Sequence, residues 1–239
     1  MPKPLSDLNI RIFADGAEKA SMMELYRNPL IKGFTTNPTL MCKAGITDYQ
    51  GFAQDILTEI NDRPISFEVF SDDFNDMERQ ARLIASWGDN VYVKIPITNT
   101  KQEPSYELIK KLSTDGIKLN ITAVFTLDQV TKTKEALRTD IPAVISVFAG
   151  RIADTGVDPV PLMKEAKEIL TDNPSLELLW ASPRELLNIY HAEEAGADII
   201  TVTPDVLKKA TNIGLDLEEF SLQTVKMFYD DGQKAGYTL

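Results

Sequence analysis

Residues 91–96 read Val91-Tyr92-Val93-Lys94-Ile95-Pro96, a run of β-branched and aromatic residues interrupted by one lysine and closed by a proline. Such a run predicts a buried strand, and its alternation sets Lys94 on the face opposite Val91, Val93 and Ile95. On either side the pattern recurs roughly every 25 to 30 residues, the spacing of βα units on a parallel sheet. The further strands are predicted at Ile10–Asp15, Ile31–Thr35, Ile65–Phe70, Lys118–Thr122, Ala143–Phe148, Glu177–Ala181 and Asp198–Val202. Between them, Asp48–Asn61, Asp73–Trp87, Leu127–Arg138, Pro161–Thr171 and Arg184–Ala195 repeat apolar residues three and four apart, as one buried helix face requires. Eight strands alternating with helices predict an α/β fold, a closed (β/α)8 or TIM barrel. The 239 residues suit a single barrel domain spanning residues 1–239, since such barrels use about 250 residues. No Gly/Ser-rich or Pro-rich linker divides the chain, and no low-complexity segment or heptad run appears.

An additional C-terminal helix is expected at about 217–234. Its Phe220, Val225, Met227, Phe228 and Tyr229 are more apolar than a free tail needs, so it is expected to pack on something. A neighbouring copy is the expected partner, making the protein a homo-oligomer.

Twenty-five Lys and Arg against 36 Asp and Glu leave a net charge of −11. With the cations scattered, neither nucleic acid nor an anionic membrane surface is an expected partner, and any anionic ligand has to be held by a few local groups. The single cysteine, Cys42, cannot form an internal disulfide, and one histidine, His191, cannot complete the usual Cys/His zinc sets. This usage fits a reducing, cytoplasmic setting. No apolar run has signal-peptide or membrane-spanning character.

In a barrel of this kind, catalytic groups converge at the C-terminal ends of the strands. Polar residues collect there on seven of the eight predicted strands: Asp15; Thr35, Thr36 and Asn37; Glu68; Lys94; Asn120 and Thr122; Ser146; and Ser182. Lys94, facing the barrel interior, is the most informative. Burial disfavours an ammonium, and a neutral amine attacks a carbonyl to form a Schiff base; the plainer alternative is a lysine that snorkels or pairs with Glu68 or Asp15. The two carboxylates are either acid–base partners of the lysine or simple charge balance for it. Asn37, Asn120, Thr122 and Ser146 suit sugar hydroxyls, although strand-end Asn and Ser also close turns. Arg151, and Arg184 at an expected helix start, are candidates for holding a phosphate together with helix amides, or are ordinary surface arginines.

Other signals are weak. Neither a P-loop nor Gly-x-Gly-x-x-Gly is present, so no nucleotide cofactor is supported. His191 falls inside a predicted helix as a solvated or core residue, which leaves no Ser-His-Asp triad. Cys42 reads as a small buried apolar side chain.

Taken in order, Gly33-Phe34-Thr35-Thr36-Asn37-Pro38-Thr39, Val93-Lys94-Ile95-Pro96, Leu119-Asn120-Ile121-Thr122, Ile145-Ser146-Val147-Phe148-Ala149-Gly150-Arg151-Ile152 and Ala181-Ser182-Pro183-Arg184 resemble the successive signatures of transaldolases. The resemblance spans almost the whole chain. In length the chain is similar to the small transaldolase and fructose-6-phosphate aldolase branch. The resemblance implies a barrel that needs no metal or cofactor, with Lys94 as Schiff-base lysine, Asp15 as general acid/base, and Glu68 with Thr122 handling a catalytic water. It assigns Thr35, Asn37, Asn120, Ser146 and Phe148 to the substrate's hydroxyls and carbon chain, and Arg151, Ser182 and Arg184 to its phosphate. The implied substrates are sugar phosphates of the pentose phosphate pathway. Glu68, Phe148, Asn120 and Ser146 match the transaldolase pattern, whereas the aldolase branch carries Gln, Tyr and apolar residues there. One departure is Pro183, where an aromatic residue is usual.

Overall fold

The computed structural model describes residues 2–238. Eight parallel strands, β1 (Arg11–Asp15), β2 (Ile31–Thr35), β3 (Ile65–Glu68), β4 (Val91–Pro96), β5 (Leu119–Val124), β6 (Ala143–Val147), β7 (Leu176–Trp180) and β8 (Ile199–Val202), close in sequence order, β8 pairing back on β1. With a helix after each strand, this is the expected (β/α)8 barrel. The strand predictions hold to within about two residues at each end, because buried apolar runs mark strand centres better than their limits. The predicted helices are observed at Tyr49–Glu59, Phe74–Ala85, Leu127–Ala136, Pro159–Leu170 and Leu187–Glu194.

The register decides what faces inward. Asp15 lies beside Thr35, Glu68 beside Lys94, and Lys94 beside Asn120, so these residues occupy neighbouring inward positions at one end of the barrel. Beneath them Phe13, Val144, Leu179, Ala181 and Ile199 form an apolar plug. Phe13 fits only because β2 has no side chain opposite it: a Cβ on Gly33 would lie 2.6 Å from the Phe13 ring. Below the plug Arg11 pairs with Glu177. The larger core lies outside the sheet, where the outward strand residues meet the helices. The polar mouth therefore stands on a filled interior rather than a pore.

The C-terminal helix runs over Leu217–Ala235, and none of its residues is buried. Phe228 and Tyr229 are each 66% exposed, so the helix does not fold back on its own barrel. Cys42 corrects an expectation: it is exposed, because the short helix that carries it, Pro38–Lys43, lies at the barrel mouth rather than beneath a second layer. His191 sits on the Leu187–Glu194 helix, its ring centroid 6.4 Å from that of Trp180. Among the described residues no helix is long and apolar enough to cross a membrane.

Candidate active site

Lys94 is buried within β4, and its Nζ donates to the Thr36 carbonyl at 2.9 Å and lies 3.1 Å from Glu68 Oε2. Those two contacts fix the amine on the β2–β3 side of the mouth. Asp15, at the end of β1, accepts a hydrogen bond from Thr35 Oγ1 at 2.7 Å, and Thr35 Oγ1 also bonds Thr201 Oγ1 on β8. Burial holds the Asp15 carboxyl above the usual carboxylate range, against the pull of Lys94 and the Thr35 hydrogen bond, with Glu68 adding to the rise. A carboxyl so placed keeps a proton to higher pH than a solvated one and, once ionised, is the stronger base toward a neighbouring hydroxyl.

Thr122 owes its position to a break in the ladder. The β5–β6 register shifts between Ile121 and Val124, and Ala123 takes a left-handed φ of 59°, so the strand kinks where it reaches the mouth. Thr122 is 2% exposed and its Oγ1 has no hydrogen-bond partner. A buried orphan hydroxyl is uncommon in a well-packed fold and marks a place for a polar ligand or water. Asn120, by contrast, is fully engaged one step lower: its Nδ2 donates to Ser66 Oγ at 3.0 Å, and its Oδ1 accepts from Ser146 Oγ at 2.7 Å.

Opposite Lys94, the β6 and β7 ends meet at a close contact. Gly150 N donates to the Ala181 carbonyl at 3.2 Å, and a Cβ on Gly150 would fall 1.5 Å from the Ser182 carbonyl oxygen. Only glycine allows these segments to approach this far. Ser182 has a left-handed φ of 58°, which turns the chain out of β7. Arg151 lies over the Phe148 ring at 5.5 Å from its centroid, and Phe148 in turn packs on Phe125 at 5.7 Å. Arg184 is paired with Asp154 through two hydrogen bonds. Its expected place at a helix start needs correcting. The helix begins at Leu187, and the Arg184 and Glu185 amides are taken by Asn188 Oδ1 at 2.7 and 3.2 Å, so they are not free to meet an anion.

One cavity of about 530 Å³ gathers these groups, within the range of small-molecule sites. Asp15, Thr35, Asn37, Glu68, Lys94, Thr122, Ser146, Phe148, Arg151, Ser182 and Arg184 all line it. Asn120 does not; it lies behind Ser146. In a protein of net charge −11, this lining sets the cations Lys43, Lys94, Arg151 and Arg184 against the carboxylates Asp15 and Glu68. Such a local excess of positive charge suits an anionic ligand.

A sequence profile described as Transaldolase/Fructose-6-phosphate aldolase matches residues 12–238. The chain belongs to the transaldolase/fructose-6-phosphate aldolase family. It is 34% identical over 215 residues to a "Probable transaldolase" of Nitrosopumilus maritimus, covering 87% of this chain and 92% of the relative. It is 35% identical over 202 residues to a "Probable transaldolase 2" of Listeria monocytogenes, covering 84% and 88%. A "Probable transaldolase" of Chelativorans sp. is 34% identical over 232 residues, covering 95% of this chain and all (100%) of the relative. Among solved structures, 2,3-dimethylmalate lyase, of the PEP mutase/isocitrate lyase superfamily, superposes with a TM-score of 0.55 at 12% identity, covering 98% of this chain and 86% of that one. That likeness shows the barrel alone.

Against the transaldolase signatures, the strand-end residues singled out in the sequence converge on one mouth with the exception of Asn120 and of Thr36, whose hydroxyl is spent on the Ser66 carbonyl. The structure adds residues that sequence reasoning passed over. Thr201 and Thr203 give β8 its own polar contribution, so no strand lacks one; the alternation Ile199-Ile200-Thr201-Val202-Thr203 carried that signal. Lys43, Leu40 and Phe125 also line the cavity, and nothing in their spacing set them apart from ordinary loop and helix residues.

Proposed function

We propose that this enzyme is a transaldolase, moving a dihydroxyacetone unit from a ketose phosphate to an aldose phosphate. The observation that supports this best is a buried lysine amine within 3.1 Å of Glu68, sharing its cavity with Asp15. Lys94 Nζ attacks the C2 carbonyl of the donor. The carbinolamine loses water to give an iminium, with Glu68 and Thr122 binding the water that leaves and later returns. Asp15 then takes the proton of the C4 hydroxyl, the C3–C4 bond breaks, and its electron pair passes into the iminium as an enamine. Asp15 carries that proton until the acceptor aldehyde is attacked by the enamine and its new oxyanion is protonated. Thr35, Asn37 and Ser146 meet the sugar hydroxyls, with Asn120 orienting Ser146. Arg151, Ser182 and Arg184 hold the phosphate, in keeping with the positive lining at that side.

Transfer rather than release is favoured by Phe148. Releasing dihydroxyacetone requires protonation of the enamine carbon, and the phenyl ring, packed on Phe125, gives a water no hydrogen-bond partner, whereas a tyrosine hydroxyl would orient one. Substrates of this class place the enzyme in the cytoplasmic pentose phosphate pathway. We propose also that copies of the chain associate through the exposed apolar face of the C-terminal helix.

The deciding assay supplies fructose 6-phosphate with and without erythrose 4-phosphate. Seven-carbon ketose phosphate should form with the acceptor present, and free dihydroxyacetone should be minor without it. Phe148→Tyr, alone or with Glu68→Gln, should raise dihydroxyacetone release relative to transfer. Native protein that releases dihydroxyacetone as fast as it transfers would favour the aldolase reading.

A further inference from the structure

The end of β3 is bonded on its two edges by different kinds of group. On the β4 edge the ladder is complete, Val69 N donating to the Lys94 carbonyl at 3.1 Å. On the β2 edge the ladder stops early. The Ser66 carbonyl still accepts from Thr36 N at 3.1 Å, and by alternation the next N–H and C=O facing that edge belong to Glu68. There β2 has already turned away into the Pro38–Lys43 helix. The phenol of Tyr49 fills the gap: its Oη donates to the Glu68 carbonyl and accepts from the Glu68 amide, each at 2.9 Å. One hydroxyl thus replaces both ladder bonds of a missing strand residue.

Tyr49 is held for that purpose from three sides. It is the first residue of the Tyr49–Glu59 helix, whose start is fixed by Asp48 Oδ1 accepting from Gly51 N at 2.9 Å. Its ring packs against Phe67, Phe70 and Trp87, with centroids 6.4, 5.4 and 6.1 Å away. Burial, with the nearby Glu68 carboxylate, pushes the phenol far above its ordinary range, so it stays protonated and can donate and accept at once.

We infer that Tyr49 is the positioning residue for Glu68: by bonding both backbone groups of that residue it fixes the carboxylate's approach to Lys94. It does not itself line the cavity, so it acts through Glu68, the lining residue that it holds. The inference rests on the proposed Schiff-base reading, in which Glu68 serves the water steps at Lys94. Loss of the clamp therefore slows imine formation and hydrolysis and leaves sugar binding intact.

The test is a double-mutant cycle of Tyr49→Phe and Glu68→Gln, read as kcat, KM and the rate at which borohydride with fructose 6-phosphate traps Lys94. In the native background Tyr49→Phe should lower kcat and the trapping rate about tenfold, the size expected for two lost hydrogen bonds, with KM within about twofold. In the Glu68→Gln background the same change should cost less than about twofold, because residues acting as a unit are not additive. Equal losses in both backgrounds, or no loss in the native one, would overturn the inference. So would an equal loss from Phe70→Leu, which removes ring packing but no hydrogen bond. Should Tyr49→Phe fail to fold, Tyr49→4-aminophenylalanine, whose amine both donates and accepts, should turn over near the native rate; a folded but slow variant would count against the clamp. Native protein that never yields an adduct on Lys94 would refute the Schiff-base reading itself, whatever Tyr49 does.

Discussion

Asp15 shows what the site costs the fold. Its carboxyl is raised chiefly by burial, so the folded protein holds that proton more tightly than the unfolded chain, whose carboxyl titrates near 3.8. The stability contributed by protonated Asp15 is complete below that value and is lost as pH rises through the folded pKa. Asp15→Asn is therefore expected to abolish turnover while raising the melting temperature at pH 7, by an increment that narrows as pH falls toward 3.8. Thermal scans across that range check it, and a variant less stable than native at pH 7 would mean that the Thr35 and Lys94 contacts outweigh desolvation. Single residues were also where the sequence was least legible. Lys94, Glu68 and Asp15 stand out because charge inside a strand run is rare, whereas Asn120 reads as one more strand-end group suited to a sugar hydroxyl or to closing a turn. Only the bonds to Ser66 and Ser146 reveal that its amide is spent inside the barrel and not offered to the cavity. Thr122 could be named, but its orphan hydroxyl depends on a kink at Ala123 that alanine does not announce.

Elements were legible at their centres, and their ends depended on contacts made across the fold. β-branched runs located all eight strands, since burial on both faces demands apolar residues throughout. Arg184 is expected at a helix start, but Asn188 captures the two amides that would have begun one. The first turn of the Ala149–Ala153 helix, which follows β6 directly, illustrates how one element holds another. Gly150 lies so close to the Ser182 carbonyl that any Cβ forces the β7 exit to move. Gly150→Ala should destabilise the protein by roughly 1–3 kcal/mol, the usual cost of overpacking. Because Ser182 and Arg184 would shift with it, KM for phosphorylated donors should rise more than kcat falls. Denaturant melts and steady-state kinetics together check this; unchanged stability and KM would show that the turn yields without disturbing the cavity.

At the scale of the molecule, a barrel with a filled interior carries, among the described residues, one α-helix with no buried residue. Composition alone marked that helix as too apolar for a free tail, but which surface receives it cannot be read from one chain's periodicity. Association through it predicts an oligomer by light scattering at micromolar concentration. Phe228→Asp with Tyr229→Asp should shift the protein toward a smaller species with its barrel intact by circular dichroism; a native monomer throughout that range would refute it. The barrel brings Lys94, Glu68 and Asp15 to one mouth, and the proposed chemistry turns on a covalent bond at Lys94. Reduction with borohydride in the presence of fructose 6-phosphate, followed by peptide mass mapping, tests it most directly. The predicted result is a three-carbon adduct on the peptide carrying Lys94, absent from Lys94→Ala and diminished when erythrose 4-phosphate precedes the reductant. An adduct on a different lysine, or turnover without any adduct, would contradict the account.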